Sequence, residues 1–374
     1  MDYQALSPVT GHSVVISVVD GRISTIVPSA CDSDDGLWVA PGFVDLQVNG
    51  FAGVDYNSPE TSIDKIGCSI DAQRTTGVTR LYPTIITGSN TNIRKALTNL
   101  ARAKHELSNG TSIAGLHLEG PWISPHDGPR GAHPIEHVRA ASIAEFEDFQ
   151  GSAEGQIRLV TIAPEVEGAL ALIEYLSDQG VVVSLGHTGA NAEEIHAAVD
   201  AGATMSTHLG NASYSMTRHN ANHIIEQMAC DQLYAGFIVD GIHLPPSFVK
   251  VAIRAKTPEK SILVTDAVAP AGCNPGSYRL GHLEVQLSDD GSVRLVESGR
   301  LAGSALRMDY ALNNLMRFSG LSLARSLATA TVNPARAIGL EGRQGFLIPG
   351  ELADLVLFQY NSETLEIKII ESVV

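Results

Sequence analysis

The chain lacks any dense framework of cysteines and any excess of basic charge. Its 374 residues include only four cysteines, Cys31, Cys68, Cys230 and Cys273, which are dispersed and form no C-x-x-C pair. This usage favours a reduced, cytoplasmic protein over a secreted disulfide scaffold. The net charge of −16 argues against a general nucleic-acid binder and against a protein held on an anionic membrane surface.

Long apolar runs are also missing. No stretch approaches the roughly 18 apolar residues of a membrane-spanning helix. The first residues carry no basic segment followed by a long apolar core, so we expect no signal peptide. What is present is ample core material, since hydrophobic residues make up 44% of the chain and charged residues 18%. That balance excludes a disordered chain and allows one large or two ordinary domains.

Strand patterns lie at both ends of the sequence. Residues 13–19 and 23–27 are rich in β-branched residues and are separated by Asp20-Gly21, a turn dipeptide. Residues 354–358 and 365–370 show the same pattern near the other end. The two ends could therefore pair into one small β domain.

The sequence between the two ends shows a different pattern of hydrophobic residues. Eight short apolar runs alternate with helical stretches, and they lie at residues 39–46, 78–86, 112–118, 157–162, 181–185, 203–206, 234–239 and 262–264. Eight βα units in about 300 residues are typical of a TIM-type barrel. A doubly wound open sheet is the alternative, but no G-x-G-x-x-G or Walker A motif supports a nucleotide-binding version of it. A hairpin over residues 282–296 looks inserted after the eighth strand.

Reactive side chains follow six of these eight runs. Barrel chemistry occurs at the carboxyl ends of the strands, and the residues found there include Asp45, Gln47, Asn49, His117, Glu119, His187, His208, Asp240, His243 and Asp266. A carboxylate with two imidazoles suits a catalytic divalent metal. Structural roles remain the alternative, because Asp and His are also common in turns and helix caps.

At these residues the sequence resembles the amidohydrolase superfamily, specifically the N-acetylglucosamine-6-phosphate deacetylases. The matching strings include PGFVDLQVNG at 41–50, HLEGPW at 117–122, VTIAPE at 160–165 and LVTDA at 263–267. Shorter matches are GHT, THL, DGIH and LAGSA. The resemblance implies an α/β fold, a distorted TIM (β/α)8 barrel over residues 41–336, with a small β-sandwich domain formed by residues 1–40 and 337–374.

The resemblance also implies the chemistry of the site. Glu119, His187 and His208 would bind one divalent metal ion per chain, zinc first and Fe²⁺ or Mn²⁺ as alternatives. Asp266 would be the general base and acid, and His133 would lie over the scissile carbonyl. Many amidohydrolases carry H-x-H on the first strand and bind two metals, whereas this chain has Gln-Val-Asn there, like the one-metal deacetylases.

Substrate contacts are carried over in the same way. The implied substrate-binding residues are Gln47, Asn49, Ala132, Asn211, Ala212, Arg218, His219, His243, Leu301, Ala302 and Gly303. One segment departs from the family, since the deacetylases usually carry an Arg-Glu-Pro-Gly string whose arginine contacts the phosphate, often across a dimer interface. Here the segment is TRHNANH at 217–223, in which His219 occupies the position of the family's arginine and Arg218 lies one residue before it.

The implied function is metal-dependent hydrolysis of the N-acetyl group of an amino sugar phosphate by a cytoplasmic homodimer. The altered segment after His208 leaves a second possibility, an amidohydrolase acting on another N-acyl or cyclic amide that carries no phosphate. A third possibility is a barrel retained as a binding or assembly module without catalysis. A scaffold without activity need not keep Glu119, His187, His208 and Asp266 together.

Overall fold

A barrel of eight parallel strands forms the centre of the protein. The computed structural model describes residues 1–29, 36–214, 222–281, 283–340 and 347–374. Neighbouring barrel strands follow each other along the chain, and they are β5 (Phe43–Val48), β8 (Val78–Ile86), β9 (Leu116–Glu119), β10 (Ile157–Ile162), β11 (Val182–Leu185), β12 (Met205–Ser206), β13 (Tyr234–Phe237) and β14 (Ser261–Leu263). The predicted TIM-type barrel is thereby confirmed.

The barrel is nearly closed between its first and last strands. Beyond the end of β14, Asp266 N–H donates to Gln47 O at 2.9 Å and Asn49 N–H donates to Ala267 O at 2.7 Å. These two bonds replace a regular ladder between β5 and β14, which is why the barrel is distorted. They also bring the end of the first strand directly beside Asp266.

Helices surround the barrel and connect its strands. They are α1 (Ile63–Arg74), α2 (Asn90–Glu106), α3 (Ile143–Ser152), α4 (Ala169–Asp178), α5 (Ala192–Asp200), α6 (His223–Ala229), α7 (Pro246–Lys256), α8 (Met308–Ser319), α9 (Leu323–Ala328) and α10 (Val332–Ala337). Short 3-10 helices lie at Gly110–Ser112, Ile135–His137 and Pro258–Lys260. None of the helices in the described ranges is long and apolar enough to cross a membrane.

Strands from both ends of the chain form a second sheet, as the sequence predicts. Its six strands run in the order β19-β18-β4-β1-β2-β3, with bounds β1 (Asp2–Leu6), β2 (Ser13–Val19), β3 (Arg22–Pro28), β4 (Leu37–Pro41), β18 (Leu355–Asn361) and β19 (Glu366–Val373). The expected sandwich is a single sheet instead. Leu355 and Leu357 of β18 are buried in the small core of this sheet, whereas Val356 and Phe358 are buried in the barrel core. Alternate residues of the strand therefore pack on opposite faces of the sheet.

A buried ion pair fixes this sheet to the barrel. Arg80 of β8 lies 2.6 Å from Asp354, and both side chains are almost fully buried. The Arg80 guanidinium also donates to Thr111 O at 2.6 Å. The boundaries expected at residues 40 and 336 remain a prediction; residue 40 lies in β4 and residue 336 lies in α10.

Two further features complete the fold. A three-stranded sheet follows β14, made of β15 (Gly276–Leu280), β16 (Leu283–Leu287) and β17 (Val293–Leu295), and it contains the predicted hairpin. A small hairpin of β6 (Gly50–Phe51) and β7 (Val54–Asp55) follows the first barrel strand. The predicted strand 39–46 is wrong as a single element, because β4 and β5 belong to different sheets and separate at Gly42.

Candidate metal centre and active site

Glu119, His187, His208 and Asp266 meet at one rim of the barrel. Glu119 is the last residue of β9, and His187 and His208 each lie two residues beyond β11 and β12. Asp266 lies three residues beyond β14. All four side chains are buried and line the same cavity of about 160 Å³. Residues remote in the sequence are therefore neighbours, as expected for the carboxyl ends of barrel strands.

Three atoms of this group form a tight triangle. His187 Nε2 and His208 Nε2 each lie 3.1 Å from Glu119 Oε1 and 3.1 Å from each other. At metal–ligand distances of about 2.0–2.1 Å, two ligand atoms of a tetrahedral site stand about 3.3 Å apart. The triangle thus has nearly the dimensions of one face of a tetrahedral metal site.

The hydrogen-bond partner of His187 supports this reading. Its Nδ1 lies 3.1 Å from Pro129 O, which can only accept, so Nδ1 carries the proton. In the neutral ring, Nε2 then carries a lone pair, which faces Glu119 Oε1 and His208 Nε2. A cation bound among the three atoms removes this repulsion, and the donor set suits a divalent metal.

A second arrangement of ligands is also within reach. Potential ligand atoms of Glu119, His133 and His187 lie within 4.8 Å of one another. His133 Nδ1 is occupied by Thr87 Oγ1 at 2.7 Å. The triangle of Glu119, His187 and His208 is the more compact set, and His133 stands beside it.

Two amides at the end of the first barrel strand support the two carboxylates. Gln47 Nε2 donates to Glu119 Oε1 at 2.9 Å, and Asn49 Nδ2 donates to Asp266 Oδ1 at 2.7 Å. Asn49 Oδ1 is buried without a hydrogen-bond partner in the part of the chain that the structure describes. Because Asn49 lines the cavity, this oxygen is available to accept a hydrogen bond from a ligand.

The two carboxylates have opposite electrostatic environments. Burial, reinforced by the negative charge of Glu119, raises the pKa of Asp266 to about 7. Burial also acts to raise the pKa of Glu119, but its contacts with His187 and His208 hold that pKa well below its usual range. Glu119 is thus charged and suited to bind a cation, while Asp266 can exchange a proton near neutral pH.

His133 completes the wall of the cavity beside the triangle. Burial, followed by the charge of His187, lowers the pKa of His133 well below its usual value, so the ring is neutral at neutral pH. With Nδ1 bonded to Thr87, its other nitrogen faces the cavity. The ring belongs to the loop after β9, whose Pro129 also contacts His187.

Three of these residues adopt a backbone conformation that favours glycine. The φ angles are +51° for His187, +28° for His208 and +49° for Asp266. Left-handed backbone at residues other than glycine is uncommon and costly, and it clusters at functional sites. The fold thus uses local strain to direct these side chains into the cavity.

The structure brings most of the expected substrate contacts to this cavity. Those on its wall are Asn49, Ala132, Asn211, Ala212, His243, Leu301, Ala302 and Gly303. Gln47 instead lies behind Glu119, where it supports that carboxylate. Arg218 and His219 lie outside the described residues.

Sequence reasoning gave no role to two residues that support the site. Thr87 follows β8 and bonds His133, which is 46 positions away. Asp240 Oδ2 lies 2.6 Å from His243 Nδ1, and its other oxygen accepts the backbone N–H groups of Ile242 and His243. The spacing in DGIH could have indicated the Asp240–His243 pair, whereas nothing local in the sequence points to Thr87.

Comparison with known proteins places this geometry in context. Residues 38–373 match the Amidohydrolase family. The N-acetylglucosamine-6-phosphate deacetylase of Bos taurus is 36% identical, over 86% of this chain and 80% of the bovine protein. The N-acetylgalactosamine-6-phosphate deacetylase of Escherichia coli O157:H7 is 32% identical, over 91% and 89%. A structure of the Mycobacterium smegmatis N-acetyl-D-glucosamine-6-phosphate deacetylase with N-acetyl-D-glucosamine-6-phosphate has a TM-score of 0.87 at 31% identity and covers 97% of this chain and 95% of that one.

Proposed function

The chain belongs to the amidohydrolase family, and from that premise we propose that it hydrolyses the N-acetyl group of N-acetylglucosamine-6-phosphate to glucosamine-6-phosphate and acetate. One observation carries the proposal, namely the meeting of Glu119, His187 and His208 with Asp266 on one small cavity. That set joins a metal site to a proton acceptor, as hydrolysis of an amide requires.

The metal would be held by Glu119, His187 and His208. We propose one ion per chain, Zn²⁺ in preference to Fe²⁺ or Mn²⁺, because two imidazoles and one carboxylate are a common catalytic zinc set. A bound divalent ion supplies Lewis acidity toward the acyl carbonyl and lowers the pKa of water toward neutrality. The proton transfers and the orientation of the substrate belong to the protein side chains.

Asp266 is the proposed proton carrier. Its carboxylate accepts a proton from the attacking water and returns it to the amine as the carbon–nitrogen bond breaks. The second transfer is essential, since an unprotonated amide nitrogen is a poor leaving group. A pKa of about 7 for Asp266 suits a group that must both take and give a proton at neutral pH.

His133 is the proposed donor to the carbonyl oxygen. Negative charge develops on that oxygen when water attacks, and a donor already in place stabilises it without reorganisation. A neutral imidazole with N–H toward the cavity meets this requirement. His133 stands beside the triangle of ligand atoms, so a carbonyl near the metal would be within its reach.

The remaining cavity residues are proposed to hold the sugar and its phosphate. His243 donates its Nδ1–H to Asp240, so its Nε2 can donate to a phosphate oxygen when the ring is in the doubly protonated imidazolium form. The backbone of Leu301, Ala302 and Gly303, together with Asn49, Ala132, Asn211 and Ala212, would orient the sugar and its acetamido group. Arg218 and His219 are proposed to add further phosphate contacts.

The decisive experiment measures acetate release from three substrates by the purified protein. The substrates are N-acetylglucosamine-6-phosphate, its galactosamine epimer and unphosphorylated N-acetylglucosamine. The highest kcat/KM on the first substrate supports the proposal, and preference for the epimer would align the chain with its E. coli relative. Preference for the unphosphorylated sugar would favour the alternative amidohydrolase, and no hydrolysis of any N-acyl substrate, with no bound metal, would favour a non-catalytic barrel.

We further propose a homodimer in the cytoplasm. The compartment is supported by the free thiols of Cys68, Cys230 and Cys273, which are unpaired in the described chain. The dimer is proposed by analogy with deacetylases that complete the phosphate site across an interface. Light scattering during size-exclusion chromatography tests the dimer, since a mass near 39.6 kDa would indicate a monomer.

A further inference from the structure

We propose that Thr87 is a positioning residue that fixes the proton of His133 on Nε2, where it faces the cavity. The inference rests on the proposed function, in which His133 donates to the acyl carbonyl oxygen. Thr87 does not line this cavity and would act only through the histidine.

The contact between the two side chains is short and enclosed. Thr87 Oγ1 lies 2.7 Å from His133 Nδ1, and the two residues are only 3% and 5% exposed. A Cβ on Gly120 would stand 2.3 Å from the same hydroxyl, and Gly120 has φ +77°. Glycine at position 120, directly after Glu119, thus leaves the space in which the hydroxyl reaches His133.

The direction of the hydrogen bond follows from the partners available. Within the described chain, His133 Nδ1 is the one hydrogen-bond partner of the Thr87 hydroxyl. If Nδ1–H donated to Thr87, the hydroxyl proton would be buried without an acceptor, which costs its full desolvation. If Thr87 donates instead, the hydroxyl proton is paired and only an oxygen lone pair of Thr87 is left over.

This direction decides what His133 can do. A neutral imidazole carries one N–H and one lone pair. With Nδ1 accepting from Thr87, Nε2 carries the proton and can donate to a carbonyl oxygen. In the opposite tautomer Nε2 would be a lone pair, which would repel that oxygen and would suit a metal ligand alongside Glu119 and His187. The Thr87 hydroxyl therefore selects the donor role of His133 over a ligand role.

The first test compares Thr87→Val with Thr87→Ser in the zinc-loaded enzyme. Valine keeps the shape of threonine and removes the hydroxyl, whereas serine keeps the hydroxyl. We expect T87V to lower kcat about 10- to 100-fold, less than the roughly 100- to 1,000-fold loss typical of removing an oxyanion donor itself. KM, metal content and melting temperature should stay near the wild-type values, and T87S should restore most of kcat. A wild-type kcat for T87V would overturn the proposal.

The second test asks whether Thr87 acts through His133. In a His133→Ala background, T87V should cause no further loss of kcat, because the ring that it positions is gone. An equal loss of kcat from T87V in both backgrounds would assign Thr87 a structural role and refute the proposal. This double-mutant cycle does not depend on how large the single effects are.

The third test needs no turnover. In zinc-loaded protein labelled with ¹⁵N-histidine, the His133 signals are assigned by their loss in H133A, and the coupling pattern shows which nitrogen carries the proton. Protonation at Nε2 in the wild type supports the proposal, and protonation at Nδ1 overturns it. If the wild type releases no acetate, the proposed function fails, while this measurement still decides the tautomer.

Discussion

Replacing Gln47 by alanine should weaken metal binding without touching a metal ligand. Gln47 Nε2 donates to Glu119 Oε1 at 2.9 Å, and both residues are buried. A hydrogen bond to a charged group contributes about 1.5–3 kcal/mol, and about 1.4 kcal/mol is a factor of ten in affinity. We therefore expect the metal Kd of Q47A to rise about 10- to 100-fold, the range seen for groups that support metal ligands.

The same strand offers a matched control in Asn49. Its amide donates to Asp266 Oδ1 at 2.7 Å and has no hydrogen bond to the ligand triangle. Asn49→Ala should thus lower kcat through Asp266 and leave the metal Kd near the wild-type value. Both variants remove one buried amide from the same strand end, so general loss of packing would affect them alike.

The assay is a competition between the protein and a chelator of known zinc affinity, followed by elemental analysis. The expected pattern is reduced zinc occupancy in Q47A and wild-type occupancy in N49A. A wild-type zinc affinity in Q47A would show that the Gln47 amide does not strengthen metal binding through Glu119. Equal zinc loss in both variants would show that the two amides do not act on separate carboxylates.

Three further changes test other parts of the structure. Asp266→Asn should retain one metal ion per chain by elemental analysis and lose nearly all acetate release, and near wild-type kcat would mean that Asp266 is not the proton carrier. Asp354→Asn leaves Arg80 buried without its charged partner and should cost about 3–5 kcal/mol in the free energy of unfolding by denaturant, so a change below about 1 kcal/mol would contradict the role of this pair. Burial raises the pKa of Asp45 to about 7, so the folded state binds a proton that the unfolded chain releases above about pH 4. The Asp45 contribution to the free energy of unfolding should then fall by up to about 1.4 kcal/mol per pH unit as pH rises toward 7. Asp45→Asn should make the overall decline less steep in matched denaturation series, and the raised pKa values of Asp55 and Asp266 account for the decline that remains.

The sequence predicted the barrel well where strands are buried on both faces. The apolar runs at 78–86 and 157–162 coincide with β8 and β10 in both bounds. The sequence predicts a single strand over 39–46 because nothing in the hydrophobicity of this run marks Gly42. A Cβ at this glycine would stand 2.0 Å from Thr79 Oγ1 and 2.2 Å from Asp354 Oδ1, and such an approach depends on tertiary packing.

The site residues that follow barrel strands in motifs could be predicted from the sequence. The residues that support them through contacts between loops could not. Glu119 and His187 could be placed because Glu119 is the last residue of β9 and His187 lies two residues beyond β11. The contact of Thr87 with His133 joins two loops and depends on side-chain directions that no local pattern encodes. The positive φ of His208 is likewise set by the surrounding fold, since histidine itself has no preference for it.

The amides at the end of the first barrel strand account for a site with two carboxylates and one proposed cation. The charge of Glu119 contributes to the raised pKa of Asp266, so the two groups already repel each other across the cavity. Gln47 and Asn49 give each carboxylate an N–H partner, which satisfies a lone pair without adding a full charge. A second cation on this strand would instead lower the pKa of Asp266 and weaken it as a base. In the proposed mechanism, the Gln-Val-Asn sequence thus lets Glu119 bind the metal while Asp266 stays basic enough to take the proton.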